Sequence, residues 1–126
     1  MAQNPTERIS DAELAIMEVL WDEAPLTATD VASRIVAQRD WSLATVKTLL
    51  SRLVAKQAIA HNLDGRRFLY SPLVEREAYV AGESRRLVDR FFGGKLMPLF
   101  AHLAGQETLS DEDIAEIQRL LREKKS

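Results

Sequence analysis

Apolar residues recur along most of the chain at the three- and four-residue spacing of amphipathic helices, and the pattern breaks at prolines, glycines and short polar stretches. Ser10-Asp11-Ala12-Glu13 has the spacing of a capping box. It predicts a first helix to about Trp21, with Leu14, Met17 and Leu20 or Trp21 facing inward. Pro25 interrupts the chain, and Leu26 can add a short strand to a later hairpin. Thr27 or Thr29 can cap a second helix from Asp30 to about Gln38 that buries Val31, Ile35 and Val36. Arg39-Asp40-Trp41 then turns the chain into a third helix, capped by Ser42. Leu43, Val46, Leu49, Leu50, Leu53 and Val54 fall on one side of it. Asp64-Gly65 marks the turn of a hairpin, with Arg66 and Arg67 just beyond it, and Pro72 ends the second strand.

Beyond Pro72 the helical period returns. A long helix is predicted over about 74–92, with Val74, Ala78, Ala81, Leu87, Val88, Phe91 and Phe92 as its apolar positions and Gly93-Gly94 as its stop. A shorter helix follows over about 95–103, carrying Leu96, Leu99, Phe100 and Leu103, with Pro98 in its first turn. A last helix opens at Ser110 with acidic residues, carries Ile114, Ile117, Leu120 and Leu121, and ends in Arg122, Lys124 and Lys125. This charge order complements the helix dipole. Helix, short strand, helix, turn, helix and hairpin is the order of a winged helix-turn-helix domain. The expected fold is therefore mainly α with a small β-wing, divided into a tail (1–8), a winged domain (9–73) and a helical segment (74–126). The three C-terminal helices hold about 50 residues, each apolar on one face, too few for a self-sufficient core. Packing against a second copy, through Phe91, Phe92, Leu96, Leu99, Phe100, Leu103, Ile117 and Leu120, would cover them; folding back onto the winged domain is the alternative.

The outer side of the third helix carries Ala44, Thr48, Ser51 and Arg52, with Thr45, Lys47 and Lys56 near its borders. Small residues let a helix backbone approach a DNA major groove closely. Hydroxyls then reach bases or phosphates, and Arg and Lys reach guanine edges or phosphate oxygens. Thr48 and Lys47 are the candidates for base edges. Ser42, Thr45, Ser51, Arg52 and, on the wing, Arg66 and Arg67 complete the candidate DNA-binding set. Solvent-facing helices also carry such residues with no ligand, and Asp-Gly-Arg-Arg alone makes an ordinary solvated turn. The succession of the two elements, after a second short helix, is what points to DNA.

Charge sharpens this reading. The 126-residue chain has a net charge of −2, a weak argument against nucleic acid. Yet 42–67 holds five basic residues, Lys47, Arg52, Lys56, Arg66 and Arg67, against the single carboxylate of Asp64. A local basic patch on a neutral body suits specific docking. No apolar run approaches the roughly 18 residues of a membrane span and the N-terminus has no signal-peptide core, so a cytoplasmic location and no membrane partner are expected. Cysteine is absent, and His61 and His102 stand apart, so neither a metal site nor a cofactor is expected. No nucleophile–base set or phosphate loop is readable, and an enzyme is not expected. Trp21 and Trp41 are expected in packing roles.

The segments I-S-D-A-E-L-A-I-M-E-V-L-W-D (9–22), S-L-A-T-V-K-T-L-L-S-R-L (42–53), R-R-F-L-Y-S-P-L-V (66–74) and F-F-G-G (91–94) together resemble the penicillinase-repressor family of bacterial transcription factors, the BlaI/MecI/CopY group, over about residues 9–122. The resemblance implies a homodimeric repressor on an inverted-repeat operator, with control of β-lactam-response genes and a signal-transducing protease as a further partner. The copper-responsive branch carries a C-terminal cysteine motif that this chain lacks. The antibiotic-responsive branch is cleaved at an Asn-Phe bond; the matching position here is His102-Leu103, where that bond is not kept. Release by proteolysis, by a ligand or by an anti-repressor therefore stays open, as does a winged-helix protein-interaction module that does not touch DNA.

Overall fold

The computed structural model describes residues 8–106 and 109–125; most of the expected tail, 1–7, lies outside them. The elements run α1 (Asp11–Asp22), α2 (Ala28–Ile35), α3 (Leu43–Ala55), β1 (Ile59–Asp64), β2 (Arg67–Pro72), α4 (Arg76–Phe92), α5 (Leu96–Gly105) and α6 (Asp111–Lys125). The chain divides into two compact units, the first ending at Gly82 and the second beginning at Glu83, so α4 belongs to both.

Local capping decides where the first three helices begin. The Ser10 hydroxyl accepts from the Glu13 N–H at 3.1 Å while Glu13 accepts from the Ser10 N–H at 2.8 Å, closing the expected capping box. A second box closes between Thr27 and Asp30, at 3.1 and 3.2 Å. It starts α2 at Ala28, two residues before the expected Asp30, and the regular helix ends at Ile35 rather than near Gln38. The Asp30 carboxyl is held below its ordinary pKa by the Thr27 N–H and then the Thr27 hydroxyl.

The core of the first unit is built from α1 (Ile16, Met17, Leu20), α2 (Val31, Ile35), α3 (Val46, Leu49, Leu50, Leu53), Leu26, Ile59 and Val74. Each large side chain buried here contributes about 1.5–3 kcal/mol. Four expectations are corrected. Ile16, not among the expected inward residues of α1, is fully buried, whereas Leu14 is only partly covered. Val36 is 60% exposed because α2 has ended before it. Leu43 is 41% exposed because it sits in the first turn of α3, beyond the core. Val74 lies before α4 and is buried in the first unit, so it is not part of a C-terminal helical face. Trp21 explains the last point: its indole Nε1–H donates to the Val74 carbonyl at 2.8 Å, and its ring lies 5.7 Å from that of Tyr79.

β1 and β2 pair antiparallel with Asp64 opposite Arg67, which makes Gly65-Arg66 the two-residue loop, one position later than expected. Gly65 takes φ 68°, as the first loop position of a type II′ hairpin requires. Leu26 joins the sheet as expected, exchanging backbone hydrogen bonds with Tyr70 at 3.1 and 2.8 Å.

In the second unit, α4 ends at Gly93 and Gly94, both at positive φ (58° and 80°). The Arg85 guanidinium donates to the Gly94 carbonyl and to Asp89, at 2.7 and 2.8 Å. No residue of α5 or α6 is buried, and Phe91, Leu96, Met97, Leu120 and Leu121 are each more than half exposed. Among the described residues no helix is long and apolar enough to cross a membrane.

Candidate nucleic-acid interface

The outer face of α3 is the natural starting point. Val46, Leu49, Leu50 and Leu53 anchor it in the core, which leaves Thr45, Lys47, Thr48, Ser51 and Arg52 in solvent on the other side. Ser42 holds the first turn. Its hydroxyl accepts from the Thr45 N–H and donates to the Thr45 hydroxyl, both at 3.1 Å. The Thr48 hydroxyl donates to the Ala44 carbonyl at 3.0 Å. With its proton so used, Thr48 offers lone pairs outward, an acceptor suited to the amino group of adenine or cytosine.

Lys56 is a correction to the sequence reading. It does not border the outer face as a free cation. Its ammonium lies 2.6 Å from a Glu13 carboxylate oxygen and 2.8 Å from the Arg8 carbonyl, and its side chain is only 18% exposed. Glu13 is almost wholly buried. Burial pushes its carboxyl up, but the hydrogen bonds from Lys56 and Ser10, together with the Lys56 charge, outweigh this and hold it below its ordinary value. Lys56 thus ties the end of α3 to the start of α1. The next residue, Gln57, takes φ 63°, and the Gln57 and Ala58 N–H groups bond the Val54 and Leu53 carbonyls at 3.0 Å. This is a Schellman ending with glutamine where glycine is usual.

The wing brings Arg66 and Arg67 to the same side as Lys47. The three line one open cleft of about 400 Å³ between the start of α2, α3 and the hairpin. Arg67 faces Asp64 at 3.5 Å, with both side chains largely exposed, so the pair is weak. Lys47, Arg52 and Arg66 make no ion pair among the described residues. Thr27, Thr29, Phe68 and Tyr70 also line the cleft and were not among the candidate residues. Only the closeness of α2 to the wing reveals them; their positions in the sequence read as a cap and a strand. Arg39 stacks over Trp41, 5.1 Å from the ring centre, in the turn that enters α3. Among the described residues no group of three or more His, Asp and Glu is placed to hold a metal ion.

His102 and Leu103 lie within α5, and both are exposed. Of the residues expected to form a dimer core, Phe91, Leu96, Phe100, Leu103 and Leu120 are exposed, and Phe92, Leu99 and Ile117 are partly covered.

Comparison with known proteins agrees with this architecture. The chain is 33% identical to the penicillinase repressor of Bacillus licheniformis over 119 residues, which cover 94% of this chain and 93% of that protein. It is 31% identical to the methicillin resistance regulatory protein MecI of Mammaliicoccus sciuri over 121 residues, 96% and 98% of the two chains. The structure of the monomeric form of Bacillus licheniformis BlaI in complex with the blaP half-operator matches at 34% identity with a TM-score of 0.52, covering 63% of this chain and 94% of that one. The sequence model of the penicillinase repressor family matches residues 9–123, nearly the whole chain, and the protein belongs to that family.

Proposed function

We propose that this protein is a transcriptional repressor that binds double-stranded operator DNA as a homodimer, with α3 in the major groove and the wing on the adjacent backbone. The carrying observation is the exposed face of α3. Thr45, Lys47, Thr48, Ser51 and Arg52 point outward from a helix locked by its opposite side into the core, and Arg66 and Arg67 of the wing stand beside it. Membership of a repressor family supports the reading. Residues 9–73 hold the DNA-binding elements, Val74 and the start of α4 complete their core, and the helices beyond Gly82 supply the surfaces that join two copies. Their exposed apolar side chains support a dimer, because α5 and α6 bury nothing by themselves. Two linked copies read an inverted repeat, since the symmetry of the operator mirrors that of the protein. A regulator of this kind works in the cytoplasm, on genes of β-lactam response.

The test is selection of bound duplexes from a random library by the full-length protein, followed by gel shifts with alanine variants of Thr45, Lys47, Thr48, Ser51 and Arg52. An inverted repeat is expected, and each base-reading variant loses about 1–3 kcal/mol and relaxes one position per half-site. Five variants that all bind like the parent would remove α3 from the groove. A monomer mass at micromolar concentration in light scattering would refute the dimer. Release can run by proteolysis, by a ligand or by an anti-repressor; a protease cut at His102-Leu103 would act by weakening the dimer, with a signal-transducing protease as the partner. That bond lies inside a helix, so the cut requires α5 to open locally. A full-length band that persists on immunoblots while target genes switch on under β-lactam would exclude it.

A further inference from the structure

The cleft between α2, α3 and the wing is more than a cluster of charges. Lys47, Arg66 and Arg67 stand on its rim, the one carboxylate among its lining residues is Asp30, and that carboxylate is turned back to cap α2. One wall is aromatic. Phe68 is 40% exposed, so part of its ring is open to solvent where it lines the cleft. The ring is not loose: it stacks on His61 at 4.7 Å with 19° between the planes, and Tyr70 stands 6.4 Å away. Thr29, exposed in the first turn of α2, also lines the cleft.

We propose that this cleft seats one sugar-phosphate segment of the DNA backbone, with the phosphate drawn to Arg66, Arg67 and Lys47 (a backbone contact here, in place of the base edge expected from the sequence), the deoxyribose packed on the face of Phe68, and the Thr29 hydroxyl bonding a phosphate oxygen. The proposal rests on the DNA-binding reading above and adds two contact residues to it. Continuity supports this occupant: Lys47 belongs both to the cleft and to the outer face of α3, so a strand leaving the major groove enters the cleft directly. Charge supports it too, with three cations facing one internally satisfied carboxylate.

An apolar contact and an ionic one differ in a way that can be read. Binding through phosphates releases counterions, so removing a cation flattens the dependence of log K on log salt by about one unit per contact. Burying a sugar face against a ring releases none. Phe68→Ala should therefore weaken binding of the full-length protein to the library-selected duplex by roughly tenfold per half-site, with an unchanged salt slope. Arg66→Ala should lower both affinity and slope. Phe68→Leu, which keeps an apolar wall, should recover most of the loss. Thr29→Val, on α2 rather than on the wing, should weaken binding severalfold and shows the cleft's role independently should the Phe68→Ala wing be misshapen. Unchanged affinity in both Phe68→Ala and Thr29→Val would overturn the inference while leaving the DNA reading intact. A Phe68→Ala slope as flat as that of Arg66→Ala would also overturn it, because the ring would then act only by holding the arginines. A parent protein that binds no duplex in the library would instead defeat the DNA reading itself.

Discussion

Replacing Lys56 by Met separates a structural lysine from a DNA-contacting one. In the folded protein its ammonium lies 2.6 Å from Glu13, which is 1% exposed. Removing the cation leaves a buried carboxylate held by its capping box with Ser10. Breaking a fully buried pair costs about 3–5 kcal/mol. The lysine end of this one reaches solvent, so water can take over part of the role, and a loss of about 2–3 kcal/mol is expected. Urea denaturation followed by tryptophan fluorescence measures it, since Trp21 and Trp41 both report on the first unit. The pH dependence carries the same information. Glu13 has a folded pKa below its ordinary value of 4.5, so its stabilisation is complete above that pH and is lost as the pH falls through the lower folded value. Without Lys56 the folded pKa rises, so less stability is lost as the pH falls, and the gap between variant and parent should narrow in acid. Glu13→Gln in the Lys56→Met background should restore part of the stability, because an amide keeps the capping box without a buried charge. Lys56→Met should leave the salt slope of DNA binding as it is in the parent. A variant as stable as the parent, or one whose salt slope drops by a full contact, would refute the assignment of Lys56 to the α1–α3 tie.

Other expectations can be checked on the same instruments. Gln57→Gly should stabilise the first unit by about 0.5–1 kcal/mol, because glycine takes the left-handed conformation at 57 without the clash of a Cβ; a lower urea midpoint would contradict the Schellman geometry. Trp21→Phe should cost about 1–2 kcal/mol by leaving the buried Val74 carbonyl without its donor, and an unchanged midpoint would show that this hydrogen bond contributes nothing net. A chain ending at Pro72 should be far less stable than one ending at Gly82, since only the latter keeps Val74 and Tyr79 over the core, each worth about 1.5–3 kcal/mol. Equal midpoints for the two truncations would place the end of the first unit at residue 72 or 73.

Much of this fold is legible in the chain because its decisive signals are local. Ser10 and Glu13, and Ser42 and Thr45, each meet across three residues, so the spacing names the starts of α1 and α3; Thr27 and Asp30 meet likewise, but Thr29 reads as an equal cap, and the start of α2 is expected two residues too late. The 3.6-residue period of Val46, Leu49, Leu50 and Leu53 identifies the buried side of α3 and, by exclusion, the side that faces outward. The two faces of a helix are determined by its pattern, and so the candidate DNA-contacting residues of α3 are readable without coordinates.

What the pattern cannot supply is whether anything covers a given apolar position or faces a given charge. Val36 and Leu43 obey the period yet stay exposed, because α2 stops early and α3 begins beyond the core. Lys56 counts as basic-patch charge in the sequence, but Glu13, 43 residues away, takes it. Val74 looks like the first residue of a new helix until Trp21, 53 residues earlier, claims its carbonyl. The cleft that joins Thr29 to Phe68 exists only because the start of α2 lies beside the wing. Local hydrogen bonds and periodicity act between neighbours along the chain and are written in the order of residues. Pairings across 40 residues or more depend on where packing places each element, and only the tertiary structure decides them.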